Sequence, residues 1–158
     1  MGNVQPAPVP SSLGRQHAMT LQRTQDTAPE VALRRALHRR GLRYRLHRRL
    51  LPGLRRSADI VFGPARVVVD VRGCFWHGCP EHHTRGTQNA DWWERKLASN
   101  IERDADTEAK LTAAGWLVVV VWEHEDPDEA GQIIADAIAL RRSVAKNVSS
   151  GPLRACDR

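Results

Sequence analysis

The sequence predicts an α/β domain, a mixed sheet with helices on its faces. Three observations point there. Apolar residues recur at helical spacing between Asp91 and Ala113. Two β-rich runs, Ala58–Phe62 and Arg66–Val71, flank a Gly63-Pro64 turn as the arms of a hairpin do. The apolar run Trp116–Trp122 is short enough to be a buried strand.

The elements follow in order. Residues 1–24 are rich in Pro, Ser, Gln and Arg, lack periodicity, and read as a mobile arm. Thr27-Ala-Pro-Glu30 is a capping box with a proline at the helix start, so a helix should run from Pro29 to Arg40 and stop at Gly41. Leu42, Tyr44 and Leu46 alternate with arginines, the pattern of a half-buried strand. Leu50 to Ser57 is a loop and precedes the hairpin. Residues 73–90 carry Gly, Cys, His and Pro without periodicity, a loop that needs another source of order. The long helix then presents Trp93, Leu97, Ile101 and Leu111 as one stripe and ends at Gly115. Asp126-Pro127 caps a last helix reaching about Leu140, and residues 141–158 read as a flexible tail. The folded domain is expected over 25–140, as a monomer.

Composition narrows the function. A chain of 158 residues, 41% hydrophobic and 27% charged, can bury a core. No apolar run approaches the roughly 18 residues of a membrane span, and no basic-then-apolar leader opens the chain, which argues against membrane insertion and secretion. Three cysteines fit a reducing cytoplasm better than a disulfide framework. Lys+Arg is 24 against 18 acidic residues, and three of the basic residues are lysines (Lys96, Lys110, Lys146). Arginine binds phosphate and guanine edges bidentately, which suits nucleic acid. Between Val31 and Ala58 there are ten arginines and no acidic residue. Such a run, with Arg48 and Arg49 at its centre, is either a phosphate-facing surface or a solvated helix face.

The hairpin carries the first chemistry. A turn centred between Pro64 and Ala65 sets Phe62 opposite Val67, Ile60 opposite Val69 and Asp59 opposite Asp70. Opposite partners share a face. Ile60, Phe62, Val67, Val69 and Val71 then line a wholly apolar face, while Asp59, Asp70 and Arg72 gather on the other. Two carboxylates that close repel unless a cation lies between them, and a hard divalent ion such as Mg²⁺ suits them. Alternatively, both pair with arginines on a solvated face.

Cys74-x4-Cys79-x2-His82 places three zinc-type ligands within nine residues, with His83 and His77 nearby and His124 after the last strand. Two thiolates and two imidazoles make a closed tetrahedral Zn²⁺ site, and such a site would fold an irregular loop. Phe75 and Trp76 on that loop either pack inward or form a wedge between base pairs. His77, if not a ligand, is a candidate general base. Asn100 and Asp104 lie four apart on the long helix and share a face, where they could meet the loop carrying His77. Trp93 lies on the apolar stripe of the same helix.

The chain resembles the very short patch repair (Vsr) mismatch endonucleases from about residue 15 to 140. The residues that carry the resemblance are Asp26-Thr27-x-Pro29-Glu30, Gly73-Cys-Phe-Trp-His-Gly-Cys-Pro-Glu-His82, Trp93-x2-Lys96-x3-Asn100-x2-Arg103-Asp104, Gly115-Trp116 and Trp122-Glu123-His124. The resemblance implies a restriction-endonuclease-like, PD-(D/E)xK fold with a zinc-pinned loop. It implies an enzyme that nicks double-stranded DNA beside the thymine of a T:G mismatch, with mismatch-repair proteins as partners, in a bacterial cytoplasm at the nucleoid. Asp59 and the main-chain carbonyl of Val71 would hold Mg²⁺, with Glu30 reaching the metal through water. His77 would activate the attacking water, oriented by Asp104. Phe75, Trp76 and Trp93 would be the wedge, and Cys74, Cys79, His82 and His124 would hold structural Zn²⁺. The chain departs from the best-known members at Arg72, where they have histidine, at Asp70, where they have phenylalanine, and at Ala58, where they have proline. Asp59-x10-Asp70-x-Arg72 is closer to the general nuclease pattern Asp…Asp-x-Lys, with arginine for lysine, and Arg72 could stabilise the transition-state phosphate. The same residues suit two alternatives, a same-fold nicking or restriction-type endonuclease without mismatch specificity and a non-catalytic zinc-stabilised DNA-binding module.

Overall fold

A computed structural model describes residues 25–82 and 89–149. The expected N-terminal arm, His83, Cys156 and the end of the expected tail lie outside the described residues. The elements are α1 (Ala28–Arg39), β1 (Arg45–Arg48), β2 (Ala58–Phe62), β3 (Val67–Arg72), the single turn α2 (Cys74–His77), α3 (Ala90–Ala113), β4 (Leu117–Trp122) and α4 (Pro127–Ser149). The four strands form one sheet in the order β1-β2-β3-β4. β1, β2 and β3 pair antiparallel, whereas β4 lies parallel to β3. A parallel neighbour needs a long crossover, and α2 and α3 supply it. A mixed four-stranded sheet flanked by helices fits a restriction-endonuclease-like fold.

The hairpin register is Ile60 opposite Val69 and Phe62 opposite Val67, so the turn lies where Gly63-Pro64 places it. One face of the sheet packs on α1 and α4. Leu33 and Leu37 of α1 and Ile134 and Ile138 of α4 are sealed against Ile60, Phe62, Val67 and Val69. On the other face Val61, Val68 and Leu111 of α3 are also buried.

Three expectations change. The first ladder residues are Arg45–Arg48, later than the alternation of Leu42, Tyr44 and Leu46 suggested. Those three side chains do pack against the core, but the ladder starts only where β2 lies alongside. β4 is a sheet edge rather than an enclosed strand, with Val121 buried and Leu117 37% exposed. The last helix continues past Leu140 to Ser149, so residues 141–149 are helical rather than tail. Arg141 anchors this extension by donating to the Gly115 carbonyl. Among the described residues no helix is long and apolar enough to cross a membrane.

Candidate active site and metal centre

The site lies on the α3 side of the sheet, where β2, β3 and α2 meet. Asp59 is near the start of β2, and its Oδ2 accepts the Val71 backbone N–H at 2.9 Å. The N–H and C=O of a strand residue point to the same side, so the Val71 carbonyl opens toward β2 on the same edge as the Asp59 carboxylate. Burial pushes the Asp59 carboxyl up to about 7. The Val71 N–H partly offsets this, the neighbouring carboxylates of Asp70 and Glu30 add to it, and His77 pulls the other way. A carboxylate held uncomfortably charged among other carboxylates is the setting a divalent cation relieves.

Glu30 is buried at the first turn of α1. Its two oxygens accept from the Asp26 N–H at 3.0 Å and the Thr27 hydroxyl at 2.9 Å. Thr27 makes no side-chain cap hydrogen bond to the helix backbone, so the helix starts where expected but without the reciprocal capping box. Asp70 faces Arg72, whose Nε donates to it at 2.8 Å. The same guanidinium lies 3.7 Å from Glu108 of α3. Arg72 thus bridges strand and helix.

His77 and Asp104 form a pair, Nδ1 to Oδ2, at 2.5 Å. Desolvation raises the Asp104 carboxyl, but the His77 hydrogen bond and the charges of His77, Arg72 and Arg103 outweigh it and hold the group below its ordinary value. Asp104 therefore stays ionised. It fixes the imidazole through Nδ1 and leaves Nε2 free for a proton-transfer role.

Asn100 and Asp104 both reach α2, but they do different things. Asn100 is 5% exposed and donates to the Trp76 carbonyl at 2.9 Å while accepting from Arg103 at 3.0 Å. It is an interior brace for the aromatic turn, on the face toward the His77 loop where helical spacing placed it. Phe75, Trp76 and Trp93 stand edge-on to one another, with centroids 5.2 to 5.6 Å apart, and all three are half-buried.

Four donor atoms converge beside α2. Cys74 Sγ is 3.1 Å from His124 Nδ1, Cys79 Sγ is 3.7 Å from that nitrogen, and Cys79 Sγ is 4.0 Å from His82 Nδ1. All four ligand atoms lie within 4.8 Å of one another. Donors around a tetrahedral Zn²⁺ stand roughly 3.5 to 3.8 Å apart, so the set fits such an ion. Burial and the nearby Cys79 and Glu123 push the Cys74 thiol up to about 11. Gly78 closes the turn at φ 65°, and a Cβ there would come within 2.9 Å of Ile101.

The arginine run divides. Arg34 pairs with Asp26, and Arg39 and Arg40 pair with Asp128 of α4. Arg56 pairs with Asp106 and reaches the Arg103 carbonyl on α3. These four knit the fold together. Arg48 and Arg49 are exposed at the end of β1, and Arg48 lines a cleft that it shares with Asp70, Arg72 and Asp104.

Sequence reasoning passed over Glu123, whose carboxylate accepts the Cys74 N–H at 2.6 Å. Its signal was its place beside His124. Trp92 was also missed, and it stacks edge-on against Trp93 at 4.8 Å.

Comparison with known proteins agrees with this geometry. A family model, DNA mismatch endonuclease Vsr, matches residues 10–84. The chain is 43% identical over 133 residues to the type II nicking enzyme V.NaeI of Lentzea aerocolonigenes, covering 83% of this chain and 80% of that one. It is 45% identical over 118 residues to the type II nicking enzyme V.XorIIP of Xanthomonas oryzae pv. oryzae, covering 72% and 82%. It is 36% identical over 104 residues to the DNA mismatch endonuclease Vsr of Escherichia coli K12, covering 63% of each chain. The chain is therefore a DNA endonuclease rather than a binding module, and it belongs to the Vsr family of DNA endonucleases.

Proposed function

We propose that this endonuclease nicks one strand of duplex DNA beside the thymine of a T:G mismatch left by deamination of 5-methylcytosine, using Mg²⁺ at Asp59. One observation carries the proposal: the Asp59 carboxylate and the edge bearing the Val71 carbonyl lie beside a histidine fixed by a carboxylate at 2.5 Å.

Asp59 and Val71 would hold the cation with hard oxygen donors, and Glu30 would reach it through water. A cation there supplies the charge that stabilises a pentavalent phosphate. Asp104 holds Nδ1 of His77, so Nε2 takes a proton from the attacking water. Arg72 stays charged at any working pH and offers a fixed cation to the phosphate, with Asp70 holding its guanidinium in place. Phe75, Trp76 and Trp93 form the wedge beside the mismatch. Arg48 and Arg49 take backbone phosphates. Cys74, Cys79, His82 and His124 would hold Zn²⁺, which orders the turn carrying the wedge and His77. The reaction would run at the nucleoid in a bacterial cytoplasm, with mismatch-repair proteins as partners.

A second possibility is favoured by the names of two relatives, V.NaeI and V.XorIIP, which are type II nicking enzymes. On it, the chain nicks DNA without a mismatch requirement. A labelled duplex with T:G in a 5-methylcytosine context, set against its C:G counterpart with Mg²⁺ and with chelator, separates the two. A Mg²⁺-dependent nick beside the thymine of T:G alone supports mismatch specificity. Equal nicking of both duplexes supports the second possibility.

A further inference from the structure

Beside the proposed catalytic pair lies a cleft of about 230 Å³, and none of the roles above uses its apolar interior. The loop between β1 and β2 forms one wall, and α3 forms the other. Its floor is aliphatic, made by Leu50, Leu54, Val68, Leu111 and Val118. Its rim is polar, with Ser57, Asp70 and Glu108 around it and Arg72 between the two carboxylates. Asp104, which holds His77, lines the same cleft, so the cleft lies next to that pair.

The volume is below the roughly 300–1,000 Å³ of pockets for drug-sized ligands. One ring system fits, and a larger ligand does not. An aliphatic floor under a rim of donors and acceptors matches a flat heterocycle, whose faces pack on methyl groups while its edge meets the rim. The carboxylates of Asp70 and Glu108 accept from ring N–H and amino groups, and the Arg72 guanidinium donates to ring nitrogens and carbonyls. Both acids are already oriented, at 2.8 Å and 3.7 Å from that guanidinium. Arg48 stands exposed on the lining, where the phosphate of the same nucleotide would emerge.

We propose that this cleft receives a single nucleobase of the nicked strand, unstacked next to the reacting phosphate, so that the strand is held by base and phosphate together during cutting. The inference rests on the chain being a DNA endonuclease and not on its preference for a mismatch.

The test uses the full chain. Methyl resonances of Leu54, Val68, Leu111 and Val118 are followed by NMR while each of the four 2′-deoxynucleoside 5′-monophosphates is added, and 2-deoxyribose 5-phosphate is the control. The expected result is movement of these methyls with at least one nucleotide and none with the sugar phosphate. Equal shifts with the sugar phosphate, or no shift with any nucleotide, overturn the proposal. This titration needs no substitution, so it stands whether or not a variant folds. With a nickable duplex, Leu54→Trp fills the floor. It should raise KM about tenfold with kcat within about twofold, and an abasic site at the nucleotide beside the nick should erase the difference. Unchanged KM in the folded variant overturns it. Equal nicking of T:G and C:G duplexes would end the mismatch specificity and leave the nucleobase pocket standing.

Discussion

One face of the sheet is covered by two helices, α1 and α4, and the other by α3 alone. On the two-helix face Leu33, Leu37, Ile60, Val67, Val69, Ile134 and Ile138 are each at most 1% exposed, and no titratable group enters the cluster. On the one-helix face buried Val61, Val68 and Leu111 share space with Asp59, Asp70, Arg72 and Asn100. A single helix cannot cover the whole sheet, and the cleft and the proposed catalytic groups occupy what it leaves. The first face confers stability without chemistry. The second gives up packing so that charged groups can stand close together, and its local order needs another source, which the Cys/His cluster can provide.

Substituting across these two faces should separate the two contributions. The largest effect belongs to Asp59→Asn. With the metal carboxylate gone, nicking should fall by about a thousandfold or more while duplex binding, measured by gel shift, remains. The same variant reports on the cost of the site. The folded-state carboxyl titrates near 7 because it is buried, against about 4 in the unfolded chain. The folded form therefore binds its proton more tightly, and the metal-free protein loses stability as pH rises from about 4 to 7. Asparagine does not titrate, so the variant should gain on the parent through that window and be more stable at pH 8, on the order of 2 kcal/mol. Urea melts in chelator at pH 4 and pH 8 check this. A variant advantage that shrinks as pH rises would show that Asp59 is not held charged against its burial.

Next is Cys79→Ser, which removes a fully buried thiol from the ligand cluster. Bound zinc, measured by atomic absorption, should fall from about one per chain to near zero, and Tm should drop by about 10 °C or more. Nicking should disappear together with order in the turn carrying His77. An unchanged zinc content would break the assignment of the cluster. Val69→Ala is the contrasting change on the sealed face. It should cost about 1 to 3 kcal/mol of stability through reduced methyl burial and leave kcat within about twofold below the melting range. A large drop of kcat in a folded Val69→Ala protein would mean that the two faces are not independent.

The legibility of these regions differs for physical reasons. The hairpin register and its two faces could be read because strand side chains alternate strictly and a Gly-Pro turn fixes where alternation reverses. The start of α1 could be read because its signals are local, Thr27, Pro29 and Glu30, although Thr27 donates to the Glu30 carboxylate rather than capping a helix N–H. The pairing of Arg39 and Arg40 with Asp128 could not, since the partners are nearly ninety positions apart and a run of arginines looks alike whether it faces phosphate or aspartate. Asn100 was legible in part. Helical spacing correctly placed it on the face toward α2, but spacing does not say whether an amide ends in solvent or under the Trp76 carbonyl. The helix beyond Leu140 was missed because it packs little. Its residues 142–146 are exposed, Val144 among them, so no buried apolar stripe marks it.

The smallest expected effect tests how much of the basic run remains for DNA once the structural pairs are set aside. Arg34, Arg39, Arg40 and Arg56 are engaged with acidic partners, so reversing any of them would mix a loss of folding with a loss of binding. Arg48 and Arg49 lie exposed at the end of β1, and Arg48 lines the cleft beside Asp104. The double change Arg48→Glu, Arg49→Glu should leave Tm almost unmoved, because exposed arginines add little to stability. It should weaken duplex binding about tenfold or more, by similar factors for matched and mismatched DNA, since groups that bind phosphate carry no sequence information. The slope of log affinity against log salt should flatten by about two, close to one for each phosphate no longer neutralised. An unchanged slope would move the phosphate track away from β1. A loss confined to mismatched duplex would make these arginines readers of the mismatch rather than of the backbone.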